Sequence, residues 1–141
     1  MRFPPRIGRL ADTRGQYLIE FSFCILALWI LIFGVIEVSR MVLVYNTVAN
    51  AARAGVRYAI VRGADLATPA SSSDVTTVVT NFAAAAPLTT SDPPLHITVS
   101  NAGGSVGSTV KVTVTYAYDP MSTLVPLSMN LSSTSQGVIV Y

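Results

Sequence analysis

Gly15 and Glu20 carry the most chemical information in this sequence, because they stand at the front edge of a long apolar run. Residues 21–36 are sixteen consecutive positions without a charge, and Glu20 directly precedes them. A carboxylate near hydrocarbon costs free energy unless another group compensates it, so Glu20 is a candidate functional residue. The alternative is that Glu20 only marks the boundary of a membrane span, where an acid costs little.

The rest of the sequence offers little material for catalysis. The single histidine, His96, lies on the polar side of an alternating pattern, and the single cysteine, Cys24, lies inside the apolar run. Neither belongs to a nucleophile–base arrangement or to a metal-binding spacing. Gly103 and Gly104 are better interpreted as a hairpin turn than as a phosphate-binding loop. We therefore expect a protein that is not an enzyme and that uses no cofactor or metal.

The charge distribution separates a basic leader, residues 1–15, from the rest of the chain. The leader has four arginines and one aspartate, a net charge of +3, whereas residues 16–141 have five basic and six acidic residues, a net charge of −1. Without a basic excess on the folded part, there is no reason to expect a nucleic-acid partner. Charged residues make up only 11% of the chain, against about 25% in ordinary soluble domains, which favours a membrane role.

The apolar run predicts a helix that crosses a lipid bilayer and continues beyond it. From residue 17 to residue 45 only Glu20, Glu37 and Arg40 are charged, and the last two are spaced to form an ion pair. This stretch would be roughly 43 Å long, against a hydrocarbon core of ~30 Å. The leader arginines predict a cytoplasmic N-terminus. An ordinary signal peptide would instead release a soluble domain, but no small-residue cleavage site follows Ile36.

The same helix is expected to cover residues 16–62, with Arg62 in its last turn and Gly63 as its stop signal. Its second half carries a stripe of small residues that lets another helix approach closely. The stripe consists of Ala51, Gly55 and Ala59. Arg53 and Arg57 lie on a different face, where a solvated surface and a partner contact are both open interpretations.

Residues 63–94 predict a loop and a second helix, in which Ser73 is the N-cap, Asp74 lies in the first turn and Pro87 ends the helix. The apolar face of this helix is predicted to comprise Val75, Val78, Val79, Phe82 and Ala86.

Residues 95–141 switch to a hydrophobic period of two, which is typical of strands. One strand is expected near 95–100, the clearest one near 110–118, and a last one near 129–140 that is interrupted around Gly137. The predicted class is α+β: a long N-terminal transmembrane helix continues into an ectodomain with a second helix and about three antiparallel strands.

Three stretches of the sequence resemble the TadE-like proteins, which are minor pilins or pseudopilins of the tight-adherence (Tad, type IVc) pilus system. They are residues 15–21, 34–38 and 51–58, and together they cover roughly residues 14–62. The arginine-rich leader, the glycine and the glutamate five residues later also resemble the processing site of a type IV prepilin. The resemblance implies a pilin-like fold for the ectodomain.

The resemblance further implies that a prepilin peptidase cuts after Gly15 and leaves Gln16 as the new N-terminus. Glu20 and Phe21 would then act in recognition and assembly, with the Glu20 carboxylate paired to the Gln16 amine of a neighbouring subunit. The implied partners are the peptidase, other Tad pilins or pseudopilins, the inner-membrane assembly platform and the lipid bilayer. The implied location is the bacterial inner membrane, in a single pass with an extracytoplasmic C-terminal domain. An uncleaved single-pass protein whose outer domain binds a partner is the alternative.

Overall fold

The structure, a computed structural model, describes residues 13–85, 95–120 and 128–140. Two helices are followed by three strands, which form an antiparallel sheet in the order β1-β2-β3. The elements are α1 (Thr13–Ile60), α2 (Ser72–Ala85), β1 (Leu95–Ser100), β2 (Thr109–Tyr118) and β3 (Met129–Val138). The predicted α+β class, with a long apolar helix, a second helix and three strands, is therefore confirmed. Pro87 and Ala86 lie outside the described residues, as does most of the leader.

The chain divides into two compact units, Met1–Ile36 and Glu37–Tyr141. In the first unit the large apolar side chains are exposed all around α1; Phe21 and Leu31, for example, are each 63% exposed. Among the described residues α1 is the one helix long and apolar enough to cross a membrane, with a mean hydropathy of 2.5 over its most apolar stretch. A helix that is apolar on every side requires an apolar surrounding.

The second unit is built around the small-residue stripe of α1. Ala51 and Ala59 are fully buried, and Gly55 between them is buried as well. A Cβ added to Gly55 would lie 2.6 Å from Cγ2 of Val79 in α2 and 3.4 Å from Cγ1 of Val112 in β2. The helix that approaches this stripe is thus α2 of the same chain, and the sheet covers it from another side.

The sheet follows the alternation of its sequence. All five inward positions of β2, from Val110 to Tyr118, are buried. On the outer face the hydroxyls of Thr113 and Thr134 are 2.9 Å apart, which adds a side-chain link between neighbouring strands. The predicted interruption of the last strand is wrong, because Gly137 pairs with Val110 inside β3.

Packing against α1, and not a turn, explains the glycine at position 137. A Cβ added there would lie 2.9 Å from Cγ1 of Val56 and 3.0 Å from Cγ2 of Ile60, both in α1. The absent side chain therefore lets β3 lie close against the end of α1. Just beyond β3, the Val140 N–H donates to the Ile60 carbonyl at 3.0 Å and satisfies one of the free carbonyls at the helix end.

The start of α2 differs from the prediction by two residues. Ser71, not Ser73, is the N-cap: its Oγ accepts from the Asp74 N–H at 3.2 Å, and its own N–H donates to Asp74 Oδ2 at 3.1 Å. This reciprocal pair is a capping box. The Ser71 hydroxyl and then its N–H lower the pKa of Asp74 by hydrogen bonding to the carboxylate. Because Ser71, Ser72 and Ser73 are consecutive, the sequence alone did not show which of them caps the helix.

The buried face of α2 is also narrower than predicted. Val75, Val79 and Ala83 are fully buried, but Val78 is half-buried and Phe82 is 43% exposed. Phe82 is therefore not a core residue. The reason is geometric: Gly55 brings α2 so close to α1 that a single row of side chains at a spacing of four fills the contact.

α1 ends two residues earlier than predicted. Its last residue is Ile60, so Arg57 rather than Arg62 lies in its last turn.

The predicted turn around Gly103 lies between β1 and β2, where Gly103 has φ +63° and Asn101 φ 63°. An added Cβ on Gly103 would lie 2.7 Å from the Ala70 carbonyl oxygen, so the hairpin packs on the loop before α2.

Replacing Gly55 with leucine should destabilise the second unit. The added side chain would meet Val79 and force apart a closely packed contact, which costs about 1–3 kcal/mol of the free energy of unfolding. Denaturant unfolding of the full chain in detergent measures this change. Ala84→Leu, on the exposed side of α2, is the matched control and should leave the midpoint nearly unchanged. Equal stability of the two variants would contradict the packing described here.

Candidate processing and assembly segment

The predicted processing residues lie near the beginning of α1. Gly15, Gln16 and Glu20 are all helical and exposed, and Phe21 is 63% exposed. Gln16 and Glu20 are four residues apart, so they lie on one face of the helix, one turn from each other. Within the described part of the chain Glu20 forms no ion pair. The predicted packing residues Ala51, Gly55 and Ala59 belong to the second unit.

Among the residues that the structure describes, no contact requires glycine at position 15. A Cβ added there would meet nothing within 4 Å, and its backbone is helical without a positive φ. This distinguishes Gly15 from Gly55 and Gly137, where packing excludes a side chain. A requirement for glycine at position 15 would therefore have to come from something other than contacts within the described residues.

A polar cluster lies at the beginning of the second unit, where β2 ends against α1. Tyr118 donates its hydroxyl to Glu37 Oε1 at 2.5 Å, and Arg40 Nη1 lies 3.6 Å from the same oxygen. The predicted pairing of Glu37 with Arg40 is confirmed. The guanidinium of Arg40 also lies 6.0 Å from the centre of the Tyr118 ring. The cluster holds the last residue of β2 to α1.

Tyr118 is the residue of this cluster that sequence reasoning missed. It stands 81 positions from Glu37, and no local pattern connects the two. The available signal was chemical: a tyrosine on the inward side of a strand needs a partner for its hydroxyl. Burial, followed by the hydrogen bond to Glu37 and its negative charge, raises the pKa of Tyr118 from 10.0 to about 12.

The other side chains named in the sequence analysis belong neither to the predicted processing residues nor to the cluster around Tyr118. Arg53 and Arg57 are exposed on α1, His96 is exposed on β1, and Cys24 is exposed on the apolar part of α1. Across residues 13–85, 95–120 and 128–140, no group of three or more His, Cys, Asp or Glu side chains could hold a metal ion.

The comparison with known proteins concerns α1, which contains the predicted processing residues. Residues 15–57 match the profile of the family described as TadE-like protein. No curated protein and no solved structure matches the chain. The resemblance to TadE-like proteins is thereby confirmed over residues 15–57, which are less than half of the chain.

The TadE-like segment starts at Gly15 and ends at Arg57, so it lies entirely within α1. It includes Glu20, Glu37 and Gly55, and it therefore spans both units of the chain. The second helix and the sheet lie outside the match. The similarity is thus limited to α1, including the small-residue face on which α2 and the sheet pack.

The stability of the second unit should decrease as the pH rises from about 10 to about 12. The unfolded Tyr118 phenol ionises near its ordinary pKa of 10.0, whereas the folded phenol stays protonated up to about 12. The unfolded state then binds fewer protons, so ionisation favours unfolding over this interval. Thermal unfolding against pH measures the effect, and Tyr118→Phe should reduce the slope. Tyr45→Phe, at an exposed tyrosine, should keep the wild-type slope; equal slopes in both variants would contradict the assignment.

Proposed function

We propose that this chain is a membrane-anchored minor pilin or pseudopilin that a prepilin peptidase processes after Gly15 and that acts in assembly of a Tad/Flp-type adhesion pilus. The observation that carries the proposal is the TadE-like match beginning at Gly15, a glycine for which the fold has no use. The proposal assigns no reaction to the chain itself. The energy for assembly would come from other proteins.

Cleavage after Gly15 suits the local physics of the helix. The bond between Gly15 and Gln16 lies in the first turn of α1, where the backbone N–H groups have no partners inside the helix. A glycine there is about 1 kcal/mol less favourable to helix than alanine. A peptidase can therefore open this turn at low cost, and no contact of the second unit has to break.

The new N-terminus would create the partner that Glu20 lacks within the described chain. Cleavage would free an amine at Gln16, and the Glu20 carboxylate of an adjacent subunit could pair with it between packed apolar helices. Either charge alone is costly in hydrocarbon, whereas the pair is tolerated, so the pairing would set the register between subunits. Removal of the leader, with its net charge of +3, would also ease movement of the helix out of the membrane.

The proposed partners follow from the resemblance to TadE-like proteins. They are the prepilin peptidase, other Tad pilins or pseudopilins, the assembly platform and the lipid around the apolar part of α1. The proposed location is the bacterial inner membrane with the N-terminus in the cytoplasm. An uncleaved single-pass protein that binds a partner through its second unit is the second candidate, which the exposed arginines of α1 favour.

Gly15→Leu should leave a full-length precursor in the membrane, because a bulky side chain at the cleaved bond would not fit a peptidase that requires glycine there. The measurement is the intact mass and N-terminal sequence of the protein purified from bacterial membranes. The wild-type chain should begin at Gln16, and a Thr13→Leu variant should be cleaved normally. A wild-type chain that still begins at Met1 would rule out processing and favour the uncleaved anchor.

Glu20→Ala should leave membrane insertion and cleavage intact but reduce the number of assembled pili severely, because the Gln16 amine would lose its partner. Counting pili by electron microscopy, alongside the mature mass in membranes, measures the two properties separately. Asp65→Asn, at an exposed acid of the second unit, is the control and should assemble normally. Normal piliation by the Glu20 variant would reject the pairing.

A further inference from the structure

A groove lies between α1 and α2 on the outside of the second unit. Its volume is about 440 Å³, and Asn50, Arg53, Ala54, Arg57 and Phe82 line it. The two arginines are four residues apart, so they stand one turn above each other and present two guanidinium groups on the same wall. Phe82 faces them from α2.

Neither arginine is used to stabilise the fold. Arg53 donates to Asn50 Oδ1 at 3.0 Å, but among residues 13–85, 95–120 and 128–140 no carboxylate lies within ion-pair distance of Arg53 or Arg57. This contrasts with Arg40, which pairs with Glu37, and with Arg62, which stacks on the Tyr58 ring at 4.3 Å. The two guanidinium groups of the groove are therefore available to a ligand.

Phe82 adds an apolar contact to this cationic surface. It is 43% exposed, whereas Val75, Val79 and Ala83 on the same helix are fully buried. Burying such an aromatic ring against a partner is a common source of binding energy, especially beside arginine. A small anion would satisfy the arginines but would leave most of the groove and the ring uncovered.

We propose that this groove binds an acidic segment of a partner protein, which presents two carboxylates about one helical turn apart beside an apolar side chain. Arginine suits this role because its planar guanidinium donates two parallel hydrogen bonds to a carboxylate. Charge complementarity thus defines the chemistry of the occupant. The proposal is independent of leader processing, because every residue that lines the groove belongs to the second unit and none belongs to the leader.

The headgroups of the bilayer are a poorer match for the groove. Arg53 follows Glu37, the first residue after the apolar run, by about 24 Å of helical rise. The polar layer on each side of a bilayer is only about 5–8 Å thick. Anionic lipids of the membrane that holds α1 would therefore not reach the arginines, whereas a neighbouring protein would.

The test uses the full chain in nanodiscs of uncharged lipid and a labelled synthetic helical peptide. The probe peptide carries two glutamates four residues apart and a leucine three residues after the first glutamate; its control has glutamine at both positions. Fluorescence anisotropy gives the affinity of each. The glutamate peptide should bind about tenfold more tightly than the glutamine peptide, because two exposed carboxylate–arginine pairs that each contribute about threefold act together. Added salt should weaken this binding.

Variants separate the groove from general surface charge. Arg53→Gln and Arg57→Gln should each weaken binding of the glutamate peptide about threefold, with unchanged thermal unfolding because both side chains are exposed. Phe82→Ala should weaken binding about five- to tenfold; thermal unfolding of this variant checks that the second unit stays folded, because its ring is only 43% exposed. Arg62→Gln removes an arginine outside the groove and should bind like wild type. Equal affinities for the two peptides, or equal losses in all four variants, would overturn the proposal. So would groove-dependent binding to phosphatidylglycerol vesicles without peptide binding, which would assign the groove to lipid.

Discussion

The close approach of α2 and the sheet to one face of α1 is the contact on which the second unit depends. It is made possible by side chains that are absent: Gly55 admits Val79 of α2, and Gly137 lets β3 approach Val56. The fully buried residues around this contact are mostly valines and alanines. Such a core removes little apolar area from water per residue, so its stability relies on many short dispersion contacts, which are lost when the elements separate.

This arrangement divides α1 into two functional halves. The small-residue face of its second half is covered by its own chain, so it cannot also serve as the packing surface for another subunit's helix. The first half, by contrast, exposes large apolar residues all around. In the proposed pilus assembly, helix-to-helix contacts between subunits would therefore fall on residues 15–36, where Glu20 is also located. The second unit contributes only its outer surfaces, which include the groove between α1 and α2.

The polar groups of the second unit follow a similar division between local and distant partners. Asp74 is held by Ser71, three residues away, and closes the first turn of α2. Glu37 is held by Tyr118, 81 positions away, and ties the end of β2 to α1 where the second unit begins. The first interaction shapes an element, whereas the second connects two elements. In both interactions, a carboxylate accepts a hydrogen bond from a side chain or backbone group of the second unit.

The sequence by itself determined the class of the fold, the three strands, the Glu37–Arg40 pair and the TadE-like character of residues 15–57, because periodicity, charge and motif spacing are local properties. Only the tertiary structure decided that Ser71 caps α2 and that β3 continues through Gly137. It also decided that Phe82 is 43% exposed and that the Tyr118 hydroxyl donates a hydrogen bond to Glu37. Each of these depends on how closely distant parts of the chain approach one another. That distance is set by packing across the whole unit, which no window of neighbouring residues contains.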